Sequence, residues 1–215
     1  MIGFLRKDFY CLMSLYKKNL MLVVLLYAVL TLVTKQTFFI GFLVWMMGFY
    51  SLSAVTLDDS CGWNRYARTL PASPSKIVAA RFLMTAAMTL CGAVAGIAMG
   101  CILVLVHGGN LAEIIAVVLV VAGVALLTMG MMLPAAYKWG MEKARNGFVA
   151  LFLVVFIVPL LMEKGFVDDA SLQAALAWMD AQPVWVLSGG ALLIALVVYL
   201  LGYGIACGIY TRKEY

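Results

Sequence analysis

The stretch LAEIIAVVLVVAGVALLTMGMMLPAA, residues 111–136, decides the fold class. Apart from Glu113 near its start, it contains no charged residue. An α-helix needs about 20 mostly apolar residues to cross the hydrocarbon core of a bilayer. This stretch therefore predicts a transmembrane helix.

The whole chain shares this apolar character. Of its 215 residues, 66% are apolar (A, V, I, L, M, F, W, Y or C) and 12% are charged, whereas soluble proteins have about 45–50% and about 25%. A soluble domain cannot bury so much apolar side chain, because part of any folded surface must face water. Five cysteines, an odd number without paired spacing, exclude a secreted disulfide-rich scaffold. We therefore predict an integral membrane protein.

The apolar stretches predict an all-α, polytopic fold formed by one transmembrane domain over 1–215. Its six spans are expected at about 19–34, 37–57, 82–106, 111–136, 147–162 and 184–206. Residues 1–18 have an amphipathic pattern, typical of a helix in the membrane plane or of a plain lead-in to the first span. We expect a cytoplasmic loop at 58–76, and an outer loop with a short helix at 163–183. Pro159 predicts an irregular outer end for the fifth span.

The positions of the basic residues predict the orientation. Only Lys35 and Lys164 fall on one side of the predicted spans, whereas the other 13 of the 15 Lys and Arg residues fall on the opposite side. By the positive-inside rule both termini are cytoplasmic, in the plasma membrane. The net charge of +5 thus reflects topology and contact with anionic lipids, and nucleic acid is not an expected partner.

The spans lack the residues that ion-driven transport needs. Glu113, at an outer end, is their only Asp, Glu, Lys, Arg or His residue, and His107 lies just beyond the third span. Proton relays and ion-coupled pumps need ionisable groups at membrane depth. The chain also has no G-x-x-x-x-G-K-[ST] nucleotide motif, and its single His and unpaired Cys form no usual metal site. We expect no cofactor on this chain, an energy source elsewhere, and an apolar or amphipathic substrate.

Glycines recur every fourth position in two places. Span 3 contains Gly92, Gly96 and Gly100, and the end of span 6 has the pair Gly204 and Gly208. Such spacing lets helix backbones approach closely in lipid. It is compatible with packing inside one bundle and with an interface between subunits.

The loop between spans 2 and 3 reads DDSCGWNRYARTLPASPSKIVAAR, residues 58–81. Asp58 or Asp59 is positioned to cap a short helix that carries Trp63, Tyr66 and Leu70 at helical spacing. Pro71 would end that helix, and Ser73 or Ser75 would start the next. A short amphipathic helix held across the ends of two spans suits a contact with a partner, although a simple interfacial connector has a similar pattern.

The order of residues in this loop resembles that in ABC-2 type transporter permeases. The matching positions are Asp58, Asp59, Trp63, Tyr66, Leu70, Pro71, Ser73, Ile77, Val78 and Arg81. A second segment, YKWGMEKAR at 137–145, is similar to an inner-loop segment of the same family. The chain most resembles the small six-span permeases of Gram-positive bacterial exporters of antimicrobial peptides and phenol-soluble modulins.

The resemblance implies a complex of two permeases with two separate cytoplasmic ATPase subunits, which hold the ATP and magnesium. The second permease would be a copy of this chain or a paralogue. The loop helix would dock on the ATPase through Trp63, Tyr66 and Leu70, ended by Pro71, with Arg65 and Arg68 supplying charge and Asp58 and Asp59 capping. A secondary contact is expected at Lys138, Glu142 and Lys143.

Two other classes of function remain open from the sequence. A secondary transporter or channel is disfavoured by the charge-free spans. The other class is a non-transporting scaffold or an intramembrane enzyme. Against an enzyme, span residues such as Ser51 and Thr85 have no basic residue beside them that would activate a nucleophile. The sequence therefore favours an ATP-driven exporter permease.

Overall fold

The computed structural model describes residues 2–69, 73–150, 153 and 182–212, and these residues contain no strand. Their helices are α1 (Ile2–Thr34), α2 (Phe38–Ser60), α3 (Trp63–Thr69), α4 (Pro74–His107), α5 (Leu111–Trp139) and α6 (Val184–Arg212). Residues 141–150 are also helical. The all-α class predicted from the sequence is confirmed for this part of the chain.

Five of the helices are long and apolar enough to cross a membrane: α1, α2, α4, α5 and α6. They contain five of the six predicted spans. The remaining one, at 147–162, overlaps the helical residues 141–150 but lies mostly outside the described residues, as do Pro159 and nearly all of the predicted outer loop 163–183. The count of six spans therefore stays a prediction.

Helix α1 differs from the expected pair of an in-plane helix and a span. It runs without a break for 33 residues, because no Gly or Pro follows Gly3 before the helix ends at Thr34. At 1.5 Å per residue it is about 50 Å long, and about 30 Å suffices for the hydrocarbon core. Its first turns therefore extend beyond the apolar layer, and there Asp8 and Leu12 are buried against the bundle.

Helices α2, α4 and α5 pack against one another at the centre of the bundle. Helix α1 lies against α2 and α4, and α6 lies against α5 and α4. Near α3 the core is rich in aromatic residues: Tyr199 donates a hydrogen bond to the Phe82 carbonyl at 2.5 Å, and the rings of Tyr137 and Tyr210 lie 5.5 Å apart. The opposite half is aliphatic, with Ile40, Leu43, Val44, Met99, Leu103 and Val118 buried together.

The glycines of α4 face neighbouring helices. A methyl group on Gly92 would come within 2.8 Å of Met47 Cβ, and one on Gly100 within 2.5 Å of Ile114 Cγ2. At Gly96 the nearest atoms are methyl groups of Ile40 and Val44, at 3.1 Å. This stripe therefore packs inside the bundle, where the absence of a side chain lets α4 approach α2 and α5.

The glycines predicted to pack on α6 are placed differently. Within the described residues no atom lies within 4 Å of a methyl group built on Gly204 or Gly208. Gly202, two residues before Gly204, instead lies against the backbone of Gly130 on α5. A contact at Gly204 and Gly208 therefore stays a prediction.

Candidate functional site

Helix α3 follows α2 after a turn of only two residues, Cys61 and Gly62. The Cys61 N–H donates to the Leu57 carbonyl at 3.0 Å and closes the last turn of α2. Gly62 has φ +66°, a left-handed conformation that costs glycine nothing. This turn lets α3 start immediately after α2. We call the end of the bundle at which α3 lies the α3 end.

The predicted cap of α3 is wrong. Asp58 and Asp59 lie inside the last turn of α2, which continues to Ser60, and Gly62 occupies the position directly before α3. Helix α2 continues past Asp58 because Lys7 and Arg81, which lie on other helices, neutralise its carboxylate. The next helix starts as expected, with Ser73 before it and Pro74 in its first turn, although the Ser73 side chain makes no capping bond.

Four charged side chains from three helices meet at the α3 end. Lys7 Nζ lies 2.6 Å from Asp58 Oδ1 and 3.1 Å from Asp8 Oδ1. Arg81 donates through Nη2 to Asp58 Oδ2, and its Nη1 lies 3.0 Å from Asp8 Oδ2. We call Lys7, Asp8, Asp58 and Arg81 the ionic cluster. Its two cations and two carboxylates sum to zero charge.

Most of the ionic cluster is buried. Asp8 is 2% exposed, Arg81 6% and Asp58 8%, whereas the Lys7 side chain is 24% exposed. Buried charges are tolerated when they are paired, and removal of one partner leaves an uncompensated charge at high cost. The cluster therefore fixes the first turns of α1, the end of α2 and the start of α4 relative to one another.

Helix α3 is tied to the ionic cluster through Trp63. Lys7 Nζ lies 4.3 Å from the centroid of the Trp63 ring, a distance at which a cation is attracted to the face of an indole. Next to this contact is a cavity of about 10 Å³, close to the space of one water molecule. Its lining brings together α1, α2, α3, α4 and α5 at Phe4, Lys7, Asp8, Val55, Asp58, Trp63, Ile77, Arg81 and Tyr137.

The aromatic residues predicted to dock on a partner are exposed to different extents. Tyr66 is 57% exposed, and its ring lies 5.3 Å from that of Trp63. Trp63 itself is half-buried against the core, and Ala67 is fully buried. Tyr66 is thus the aromatic side chain that α3 presents to the outside.

The other predicted residues of the loop are described less completely. Arg65 and Arg68 lie on α3, but their side chains are outside the described residues. Leu70 and Pro71 are also outside them, and α3 ends just before, at Thr69. The docking roles of these four residues stay predictions.

The second segment that resembles the permease family, at 137–145, lies at the same end of the bundle. Tyr137, its first residue, lines the small cavity with Trp63 and Arg81. Lys138, Glu142 and Lys143 are exposed, and Lys138 Nζ lies 5.0 Å from the Trp139 ring centroid. The two segments that resemble the permease family are therefore neighbours in space.

Sequence reasoning missed Lys7 and Asp8 as parts of this site. Both lie in the amphipathic residues 1–18, and Asp8 is the only acidic residue before Asp58. Arg81, at the start of a long apolar helix, could have indicated the pairing, since a charge there needs a partner of opposite sign.

The charged groups of the site are paired with one another. In the described ranges no group of three or more His, Cys, Asp or Glu side chains is placed to hold a metal ion. The carboxylates of the ionic cluster are neutralised by Lys7 and Arg81. These contacts connect α3 to three membrane helices, α1, α2 and α4.

A helical bundle with at least five possible spans and a short helix at one end is the architecture of a polytopic membrane protein. The family model of the ABC-2 family transporter protein matches residues 3–211. The chain therefore belongs to the ABC-2 transporter family. No curated protein and no solved structure matches it.

Family membership makes the chain a membrane permease of an ABC transporter and a multi-pass protein of the plasma membrane. It also implies association with an ABC ATPase. The resemblance seen in residues 58–81 and 137–145 is confirmed at the level of the family.

Proposed function

We propose that the chain is the permease subunit of an ATP-driven exporter of amphipathic or hydrophobic substrates, with peptides and toxins as the favoured class. The spans are poor in ionisable residues, so a substrate with large apolar surface suits them better than an ion. ATP is hydrolysed on a separate partner subunit, since this chain has no nucleotide motif of its own. The resemblance of the sequence to small Gram-positive peptide exporters supports this class of substrate.

The coupling element in this proposal is α3. The observation that carries it is the exposed Tyr66 on a helix whose other aromatic residue, Trp63, is fixed against the ionic cluster. An exposed aromatic ring on a short, anchored helix is typical of a contact that another protein completes. Two ATPases per complex, contacts at Arg65, Arg68 and Leu70, and a secondary contact at Lys138, Glu142 and Lys143 belong to the same proposal.

Two copies of the permease, or this chain with a paralogue, would enclose the substrate path. Large apolar side chains are exposed along α1, α4 and α6, and such surfaces are covered by lipid or by another span. Substrate of low charge could then pass between membrane helices without an ionisable lining.

The proposed orientation places both termini and α3 in the cytoplasm. Cys61, exposed in the turn before α3, is a natural probe of this side. A membrane-impermeant maleimide should modify Cys61 in inside-out vesicles and leave it unmodified in intact cells, with Cys61→Ser as the blank. Modification in intact cells would reverse the orientation.

The docking role of α3 is tested by Tyr66→Ala. Truncation of a central aromatic contact costs about 2 kcal/mol, which weakens binding roughly 30-fold. Co-purification of the ATPase with the permease should therefore fall strongly. Tyr10→Ala is the matched control, because Tyr10 is 68% exposed but lies on α1. Equal recovery of the ATPase with both variants would contradict docking through α3.

A further inference from the structure

One ammonium group contacts α3 and α2 as well as its own helix. Lys7 Nζ lies 4.3 Å from the Trp63 ring on α3 and 2.6 Å from Asp58 Oδ1 on α2. It also lies 3.1 Å from Asp8 on α1 itself. Any shift of α3 that carries Trp63 with it therefore acts directly on Lys7.

The two carboxylates extend this contact to the bundle. Asp58 and Asp8 are each shared between Lys7 and Arg81, and Arg81 lies on α4. Helix α4, which is 34 residues long, ends at His107 on the far side. Buried ion pairs cannot separate without leaving a charge uncompensated. The cluster therefore moves as a unit or changes between discrete arrangements, as packed interfaces do.

We propose that Lys7 is a positioning residue that transmits a displacement of α3 to α1, α2 and α4. The inference rests on the proposed function, in which an ATPase moves α3. It adds that the first turns of α1 are a moving part of the transporter and not only a membrane anchor.

Lys7 fits this role better than the other members of the ionic cluster. Its side chain is partly exposed at the edge next to Trp63, whereas Asp8 and Arg81 are enclosed. An ammonium on a flexible four-carbon stem keeps its contacts while its neighbours shift, which the planar guanidinium of Arg81 does less well. Loss of Lys7 thus removes the link and leaves the Arg81 pairs in place.

The test uses the full permease with its ATPase, reconstituted in liposomes with outward-facing ATPases. A fluorescent synthetic amphipathic α-helical peptide is the probe, and its uptake is measured per ATP hydrolysed. For Lys7→Gln we expect the ATPase to co-purify as before and uptake per ATP to fall about tenfold, within the range of about 5- to 150-fold typical of coupling between sites. Lys7→Arg, which keeps the charge, should restore most of the uptake.

Lys18→Gln is the matched control, since Lys18 is an exposed lysine on the same helix, and it should leave uptake per ATP unchanged. If Lys7→Gln does not yield a stable complex, Lys7→Met, which keeps an unbranched side chain and removes the charge, replaces it and should show the same loss. Uptake per ATP equal to the wild type in Lys7→Gln, or in Lys7→Met where that variant replaces it, would overturn this inference alone. A wild-type complex in which hydrolysis drives no uptake would instead contradict the proposed function.

Discussion

At the scale of single residues, the ionic cluster explains why charged side chains lie inside an otherwise apolar bundle. Asp58 faces two cations, Lys7 and Arg81, so its charge is compensated although it is only 8% exposed. Such pairs stabilise little compared with an apolar core, but they are costly to break. Ion pairs at this position fit a contact between helices whose geometry matters more than its contribution to stability.

Asp58→Asn should therefore destabilise the protein. The amide keeps the shape of the side chain and removes its charge, which leaves Lys7 and Arg81 with Asp8 as the remaining carboxylate of the cluster. We expect the free energy of unfolding in detergent micelles to fall by about 3 kcal/mol, the lower end for a broken buried ion pair. The measurement is denaturant or thermal unfolding followed by circular dichroism.

Glu142→Gln provides the control for this measurement. It makes the same chemical change at an exposed carboxylate, where substitutions usually alter stability by less than about 0.5 kcal/mol. The same loss of stability in both variants, or in neither, would contradict the structural role of the ionic cluster.

The sequence predicted part of this site and missed its connections. The spacing of Trp63 and Tyr66 correctly predicted a short helix, and Ser73, one of the two serines expected to start the next helix, lies directly before it. The pairing of Lys7 with Asp58 spans 51 residues and depends on how α1 packs against α2. Local propensity contains no information on such a contact, so Asp58 was assigned to a cap instead.

At the scale of helices, α1 shows how local rules and packing combine. Its amphipathic first turns suggested a separate helix in the membrane plane. With no helix-breaking residue after Gly3, the helix continues to Thr34. Leu5, Leu12 and Tyr16 in these turns pack in a cluster that includes Met47 and Met84.

Close packing between α5 and α6 depends on two glycines that face each other. A methyl group on Gly202 would lie within 2.9 Å of the carbonyl carbon of Gly130, and backbone cannot move aside as a flexible side chain can. Gly202→Ala should therefore separate the two helices and lower the free energy of unfolding by about 1–3 kcal/mol.

Gly204→Ala, two residues later on the same helix, is the matched control for Gly202→Ala. Within the described residues, no atom lies within 4 Å of a methyl group at Gly204, and Ala is a better helix former than Gly by about 0.5–1 kcal/mol. Thermal unfolding of both variants in micelles should place Gly202→Ala below the wild type and Gly204→Ala at or above it. The opposite order would contradict the packing of α6 on α5.

At the scale of the whole molecule, hydropathy and charge predicted more than local motifs did. Long apolar runs predicted the five spans that the structure describes, because a bilayer requires helices of defined length. Which helices lie at the centre could not be predicted, since all of them are apolar on most faces and lipid does not favour one neighbour over another. The central position of α2, α4 and α5 follows from side-chain fit, as at Gly92 and Gly100.

The composition of the whole chain and its family bear on the energy source for transport. The spans lack the ionisable residues of an ion-driven carrier, and the chain belongs to a family of ABC transporters. In the proposed function a separate ATPase acts on α3, with the ionic cluster behind it, which would explain both observations. We therefore expect this chain to transport only when another subunit hydrolyses ATP.

The most direct measurement is peptide uptake into liposomes that contain the purified permease, with and without its ATPase, under either ATP or an imposed proton or sodium gradient. We predict uptake of a synthetic amphipathic peptide only with the ATPase and hydrolysable ATP, and stimulation of ATP hydrolysis by the peptide. Uptake by the permease alone, driven by the ion gradient and independent of ATP, would contradict transport driven by a partner ATPase.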